Sequence, residues 1–212
     1  MSIEISTRQH RNALVAVGLC IALCGLVAEV SHELANIHQY DEVLFFFSLS
    51  YEQNLPTWYS SMLLACSGLA LWQQAQVAES YNRHWRAMAV GLLLASIDET
   101  AELHENLGGL IGTSGLLYFD WIIPATLVMT VLAIIYVPFT RHLPAQTRRA
   151  FLLAGAIYLG GALVMELPLG YWTEAHGVSN LGYALIDWVE ETLEILGASL
   201  FLLAVLANNS KR

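Results

Sequence analysis

Residues 182–207 read GYALIDWVEETLEILGASLFLLAVLA, and this segment combines the two features that determine the fold. Its second half is apolar apart from one serine, whereas its first half carries Asp187, Glu190, Glu191 and Glu194. The segment is long enough to cross a bilayer, which takes about 20 helical residues. At about 100° per residue the four acids fall within one arc of a helix. We therefore predict a transmembrane helix with one acidic face.

The rest of the chain repeats this pattern of long apolar segments. Of its 212 residues, 56% are hydrophobic and 13% are charged. A soluble domain is normally about 25% charged, so the composition indicates a lipid environment. The predicted spans are residues 13–32, 57–76, 87–106, 117–138, 150–170 and 182–207. They leave no room for a separate soluble domain, and we predict one all-α domain over residues 1–212, a polytopic membrane helix bundle of about six transmembrane helices.

The basic residues predict the orientation of the bundle. They lie before the first predicted span, between the second and third, between the fourth and fifth, and after the sixth: Arg8, Arg11, Arg83, Arg86, Arg141, Arg148, Arg149, Lys211 and Arg212. Because Lys and Arg accumulate in cytoplasmic connections, both termini are predicted to be cytoplasmic. No basic patch with interleaved aromatic residues is present, which argues against nucleic acid as a partner.

The longest outward connection, residues 33–56, contains the sequence YDEVLFFFSLSYEQNLP. A plain loop would expose its aromatic residues to water. We therefore predict that Val43–Leu49 lies on or in the outer leaflet, as an interfacial helix or a re-entrant lid that covers the acidic layer. Other acids of the outward connections, such as Glu52 and Glu174, are predicted to be solvated.

Acidic residues are concentrated in the outward half of the bundle, and several lie within spans. Such groups are costly in a membrane, so they usually face the bundle interior and mark function. Counted at 1.5 Å per residue from the cytoplasmic ends, the acids of four spans reach a common layer at about 17–26 Å, with two histidines just above it. The predicted site comprises Glu29, His32, Asp98, Glu102, His104, Glu166, Glu191 and Glu194.

So many carboxylates cannot all be ionised together in a low dielectric, and no Lys or Arg is placed at their depth. Either shared protons or a bound cation must neutralise them. Carboxylate and imidazole ligands suit a divalent metal ion, and we expect iron, manganese or zinc. Glu29 and His32 have the Glu-x-x-His spacing of di-metal carboxylate bundles, but the second such motif of those sites is missing.

Two strings carry a resemblance to a known group of proteins. Asp98-Glu99 is followed by His104-Glu105, and Glu190-Glu191 by Leu193-Glu194 and Leu196-Gly197. A D-E-x4-H-E helix and a late E-E-x-L-E-x-L-G helix resemble those of an uncharacterised family of small polytopic bacterial inner-membrane proteins. The resemblance covers these two helices and the general hydropathy. It implies a multi-pass protein of the bacterial plasma membrane and implies no activity.

Three hypotheses for the function follow. The first is a metal-dependent membrane protein that acts as an enzyme on a lipid or another apolar substrate. The second is a proton or cation carrier, although the inner half has few polar residues apart from groups such as Thr130 and Ser199, which favours a one-sided site. The third is an accessory subunit of a membrane complex, packed against a membrane-protein partner or another copy of the chain. No nucleophile triad, phosphate loop or dinucleotide motif is present, and the sequence leaves the choice among the three open.

Overall fold

The computed structural model describes residues 2–35, 41–104, 106, 108–109 and 111–209. For residues 2–11, 33, 35 and 41 it describes the backbone alone. Throughout these ranges the regular structure is helical and without strands, which confirms the all-α prediction. The helices are α1 (Ser2–Ala35), α2 (Asp41–Phe47), α3 (Leu55–Val77), α4 (Asn82–Ala101), α5 (Ile122–His142), α6 (Ala145–Leu159), α7 (Glu166–His176) and α8 (Leu181–Asn209). A π-helical turn, Gly160–Met165, joins α6 to α7 into one continuous helix.

Three helical segments are long and apolar enough to cross a membrane: Asn12–His32 in α1, Ile122–His142 in α5 and Ala145–His176 in α6–α7. The other predicted spans lie in α3, α4 and α8, which are 23, 20 and 29 residues long. In α4 and α8 acidic residues interrupt the apolar sequence, because these helices face a polar cavity. The count of six spans stays a prediction.

The end of α4 differs from the predicted span of residues 87–106. The helix ends at Ala101, and Glu102 adopts a left-handed conformation with φ of 50°. The backbone N–H of Glu102 still donates to the carbonyl of Asp98 at 2.8 Å, so this residue closes the last turn. Since the next residues leave the helix axis, His104 lies beyond the end of α4 and not on the helix of the predicted span.

Asp120 organises the loop between α4 and α5. The helix α5 begins at Ile122, five residues after the predicted start at residue 117. The Asp120 side chain is buried and accepts backbone N–H bonds from Gly109 at 2.7 Å and from Ile111 and Gly112 at 2.8 Å. These bonds, that from Gly112 foremost, hold the pKa of Asp120 below its ordinary value. The ionised side chain thus fixes the loop that leads into Trp121.

The centre of the bundle is α8, which packs against α1, α3, α6 and α7, while α3 and α4 form a closely packed hairpin. Glycine allows the closest approach. A Cβ atom on Gly197 would lie 2.5 Å from the backbone nitrogen of Tyr158, so α6 and α8 meet almost backbone to backbone. Small residues at helix contacts permit such packing in membrane bundles.

The segment predicted as a lid, Val43–Leu49, forms α2 and the turn after it, and it packs on α1. A Cβ atom on Gly25 of α1 would lie 3.0 Å from the carbonyl oxygen of Phe47 and would overlap the Leu49 side chain. Leu49 is 3% exposed, whereas Phe46 is 51% exposed. The segment therefore has an inner face against α1 and an outer apolar face; its position in the outer leaflet stays a prediction.

Candidate functional site

A cavity of about 180 Å³ lies where α4, the π-helical turn, α7 and α8 meet, with the turn after α2 as one wall. Eight carboxylates line it: Glu52, Asp98, Glu99, Glu166, Asp187, Glu190, Glu191 and Glu194. Its other polar or aromatic lining residues include His104, Phe119, Trp121, Tyr158 and Tyr183. Among the residues that the structure describes, no Lys or Arg lines this cavity. The cavity is therefore strongly acidic unless protons or another cation neutralise it.

Half of the cavity's carboxylates come from α8 at helical spacing. Asp187, Glu190 and Glu194 are 9%, 6% and 8% exposed, and Glu191 lines the same cavity from the adjacent position. The Oε2 atom of Glu190 is buried and has no hydrogen-bond partner within the described structure. Because a buried carboxylate oxygen is costly when nothing donates to it, this atom indicates a proton or a ligand in the cavity.

The π-helical turn brings α6–α7 onto the acidic face of α8. A Cβ atom on Gly161 would lie 2.7 Å from the carbonyl oxygen of Glu190 and 2.8 Å from Cγ of Glu194. The close approach also places Glu166, the first residue of α7, in the cavity wall with 7% of its surface exposed. Such π-bulges inside helices are frequent at functional sites.

A hydrogen-bonded network links the end of α4 to α7. The backbone N–H of His104 donates to Asp98 Oδ1 at 3.0 Å, and the ring Nδ1 donates to Asp98 Oδ2 at 2.9 Å. The His104 and Trp121 rings lie 4.6 Å apart, and Trp121 Nε1 donates to Glu166 Oε1 at 3.1 Å. The turn at Glu102 folds the chain back and so brings His104 next to Asp98.

The structure brings together five of the eight residues predicted for the site, and the other three are not among the residues that line the cavity. Those within it are Asp98, His104, Glu166, Glu191 and Glu194. Glu29 is 4% exposed on α1, where it accepts hydrogen bonds from the Ser48 hydroxyl and, at 3.4 Å, from the Ser50 N–H. His32 packs on Phe45, with ring centroids 5.3 Å apart, and Glu102 caps α4.

Within the described ranges, no three His, Cys, Asp or Glu side chains are arranged closely enough to hold a metal ion together. The carboxylates surround the cavity instead of converging on one point. The predicted ligation of iron, manganese or zinc stays a prediction. With the side chains in this arrangement, such an ion would need water molecules in its coordination shell.

The predicted site omitted four acids that line the cavity. Asp187 and Glu190 share an arc of α8 with Glu191 and Glu194, and this spacing was a usable signal. Glu99 is adjacent to Asp98 on α4 and lines the same cavity. Glu52, predicted to be solvated, is exposed but lines the cavity, and the Thr57 hydroxyl donates to its Oε2 at 2.9 Å. Its position depends on the turn after α2, which helical periodicity does not describe.

Comparison with known proteins identifies a family but no characterised relative. A protein-family model described as a domain of unknown function (DUF8692) matches residues 13–208. No curated protein matches the chain, and no solved structure does.

Proposed function

The chain belongs to the DUF8692 family, and we propose that it is a membrane protein that binds a cation in the carboxylate-lined cavity. One observation carries the proposal: eight carboxylates line one cavity, with no Lys or Arg among its described lining residues. Like charges in a small, partly buried volume raise the free energy of the folded state. A bound cation would remove that cost, and it would favour the folded protein through its binding energy.

The cation that suits the site best is a divalent metal, and we expect iron, manganese or zinc. His104 is the imidazole that lines the cavity. Because Asp98 accepts the hydrogen bond from its Nδ1, the ring orientation leaves Nε2 as the donor atom for a metal. A carboxylate that orients a histidine in this way is a common outer-shell arrangement of metal sites. The oxygen-rich surroundings favour these metals over copper(I), which prefers sulfur.

Wild-type protein tests the proposal directly. Purified in detergent and freed of metal, it is expected to bind Mn²⁺, Fe²⁺ or Zn²⁺ stoichiometrically in calorimetric titrations. At about 100 times the dissociation constant, binding should add about 2.7 kcal/mol to the free energy of unfolding and raise the melting temperature. If none of the three ions binds or shifts the melting temperature, shared protons become the better account of the buried carboxylates.

We further propose six transmembrane spans with both termini in the cytoplasm, in the plasma membrane of a bacterium. The distribution of the nine basic residues supports this topology, because all of them then lie on one side. The three most apolar spans, in α1, α5 and α6–α7, support a multi-pass arrangement. The cavity then lies in the outward half of the bundle.

Reporter fusions test the topology. Fusions at Asn54, Gly112 and Gly177 are expected to report the outer side, and fusions at Asn82 and Ala145 the cytoplasmic side. The physical reason is the asymmetric distribution of Lys and Arg between the two sets of connections. A fusion that reports the opposite side of the membrane at any of these five positions would contradict the six-span topology.

A proton or cation carrier is the second candidate. It is favoured by buried polar side chains on α3, which continue from the level of the cavity towards the other end of the bundle. The enzymatic and accessory-subunit hypotheses stay predictions, since they need a substrate or a partner.

A further inference from the structure

A line of buried polar residues runs along α3. Ser60, Ser67 and Gln74 are 0%, 1% and 2% exposed, and each follows the previous one by seven residues. Seven residues make almost two helical turns, so the three side chains lie along one stripe of the helix. At 1.5 Å per residue, the stripe is about 21 Å long.

Two polar atoms of this stripe have no hydrogen-bond partners within the described structure, Oγ of Ser67 and Nε2 of Gln74. The Ser60 hydroxyl faces the Glu99 carboxylate of the cavity. A helical serine commonly donates to the carbonyl four residues earlier, but Ser67 does not. Buried polar groups are nearly always satisfied by protein or by ordered water. Water molecules beside the stripe would satisfy both, because a buried water makes two to four such bonds.

At its outer end the stripe reaches the level of the acidic cavity. The hydroxyl of Ser61, the neighbour of Ser60, donates to the carbonyl of Ser96 on α4 at 2.7 Å. Thr100 donates to the same Ser61 hydroxyl at 3.1 Å. Ser60 therefore lies level with residues 96–100 of α4, the segment that carries Asp98 and Glu99 into the cavity.

At its inner end the stripe continues through two asparagines. Asn209 Nδ2 donates to the carbonyl of Ala70 at 3.1 Å, and Asn82 Nδ2 donates to the carbonyl of Ala78 at 3.0 Å. The Oδ1 atom of each asparagine is buried without a partner in the described structure. Ala70 precedes Gln74 by one turn and Ala78 follows it by one turn. The polar atoms thus extend to the end of the bundle opposite the cavity.

We propose that this stripe is a hydrated pathway that carries protons between the acidic cavity and the cytoplasmic end of the bundle. The inference rests on the proposed topology and on the cavity as an exchange site. A carboxylic acid of the cavity gives its proton to the first water, and each water passes one proton to the next. One proton leaves at the far end, and the carboxylate takes another from the outer side. Charge and atoms balance at every step.

The pathway also revises the expectation of a one-sided site. That expectation rests on the small number of polar residues in the inner half. Two of these residues, Ser67 and Gln74, nevertheless lie on one buried stripe. A short line of polar groups suffices for protons, because water completes it. A metal ion with its ligands would need a wider passage.

Proton flux into liposomes tests the pathway. Full-length protein is reconstituted in phosphatidylethanolamine–phosphatidylglycerol vesicles with a trapped pH-sensitive dye, and a potassium diffusion potential drives proton entry. Wild type is expected to admit protons faster than protein-free vesicles. Gln74→Leu and Ser67→Leu should each lower the flux about tenfold or more, because an apolar side chain interrupts the water chain and raises the barrier. Gln73→Leu is the matched control, since Gln73 is exposed.

Flux in wild type no faster than in empty vesicles would overturn the inference. So would equal flux in Gln74→Leu and Gln73→Leu, provided that both proteins elute as wild type and share its melting temperature within a few degrees. Cation titration of the same preparations separates this inference from the proposed function. Cation binding without flux removes the pathway alone, whereas flux without cation binding supports the pathway and removes the cation site.

Discussion

Gly197→Ala is expected to lower the melting temperature of the purified protein by about 6–12 °C, from a loss of about 3 kcal/mol in the free energy of unfolding. The added Cβ would lie 2.5 Å from the Tyr158 nitrogen and 2.7 Å from its Cα. These are backbone atoms, which cannot rotate away as a side chain would. Relief requires that α6 and α8 separate, and the contact of Gly161 with α8 would be lost with them.

The matched control is Gly155→Ala on α6, the helix that Gly197 of α8 packs against. Nothing lies within 4 Å of a Cβ built on Gly155, so the substitution meets open space. Alanine favours the helix over glycine by about 0.5–1 kcal/mol, so a small rise in the melting temperature is expected. Thermal unfolding of both variants in the same detergent, followed by circular dichroism, gives the comparison. Equal melting temperatures for the two variants would contradict the close packing of α6 on α8.

Glu190→Gln is expected to stabilise the cation-free protein and to weaken cation binding about 10- to 100-fold. Glu190 is 6% exposed, and its Oε2 has no hydrogen-bond partner in the described part of the chain. Glutamine removes one charge from a crowded acidic cavity while its volume stays nearly the same. A charged ligand interaction is worth about 1.5–3 kcal/mol, which corresponds to the expected change in affinity. Glu194→Gln should act in the same direction.

The measurements are calorimetric titration and thermal unfolding, each with and without the cation. Glu79→Gln is the control, because Glu79 is exposed in the connection between α3 and α4, away from the cavity. The control should leave both the affinity and the melting temperature unchanged. Lower stability of the cation-free Glu190→Gln protein, together with unchanged affinity, would show that Glu190 serves packing instead of cation binding.

Local properties of the sequence determined the helices. Long apolar segments and their length in residues predicted an all-α chain, and each of the six predicted spans lies largely within a helix, although those of residues 87–106 and 117–138 extend beyond α4 and α5. The acidic arc of α8 was equally readable, because Asp187, Glu190, Glu191 and Glu194 share one helix and helical geometry is regular. The basic residues predicted an orientation, because that argument needs only their order along the chain relative to the apolar segments.

Only the tertiary structure decided which acids face one another. The left-handed residue Glu102 ends α4 and returns His104 to Asp98, and the π-helical turn sets Glu166 against α8. Glu29, on a helix with regular spacing, faces the turn after α2 instead of the cavity. Helix termini, π-turns and the rotation of each helix about its axis depend on packing between distant segments. The composition of the cavity, and the polar stripe of α3 that continues from it, are therefore properties of the packed bundle.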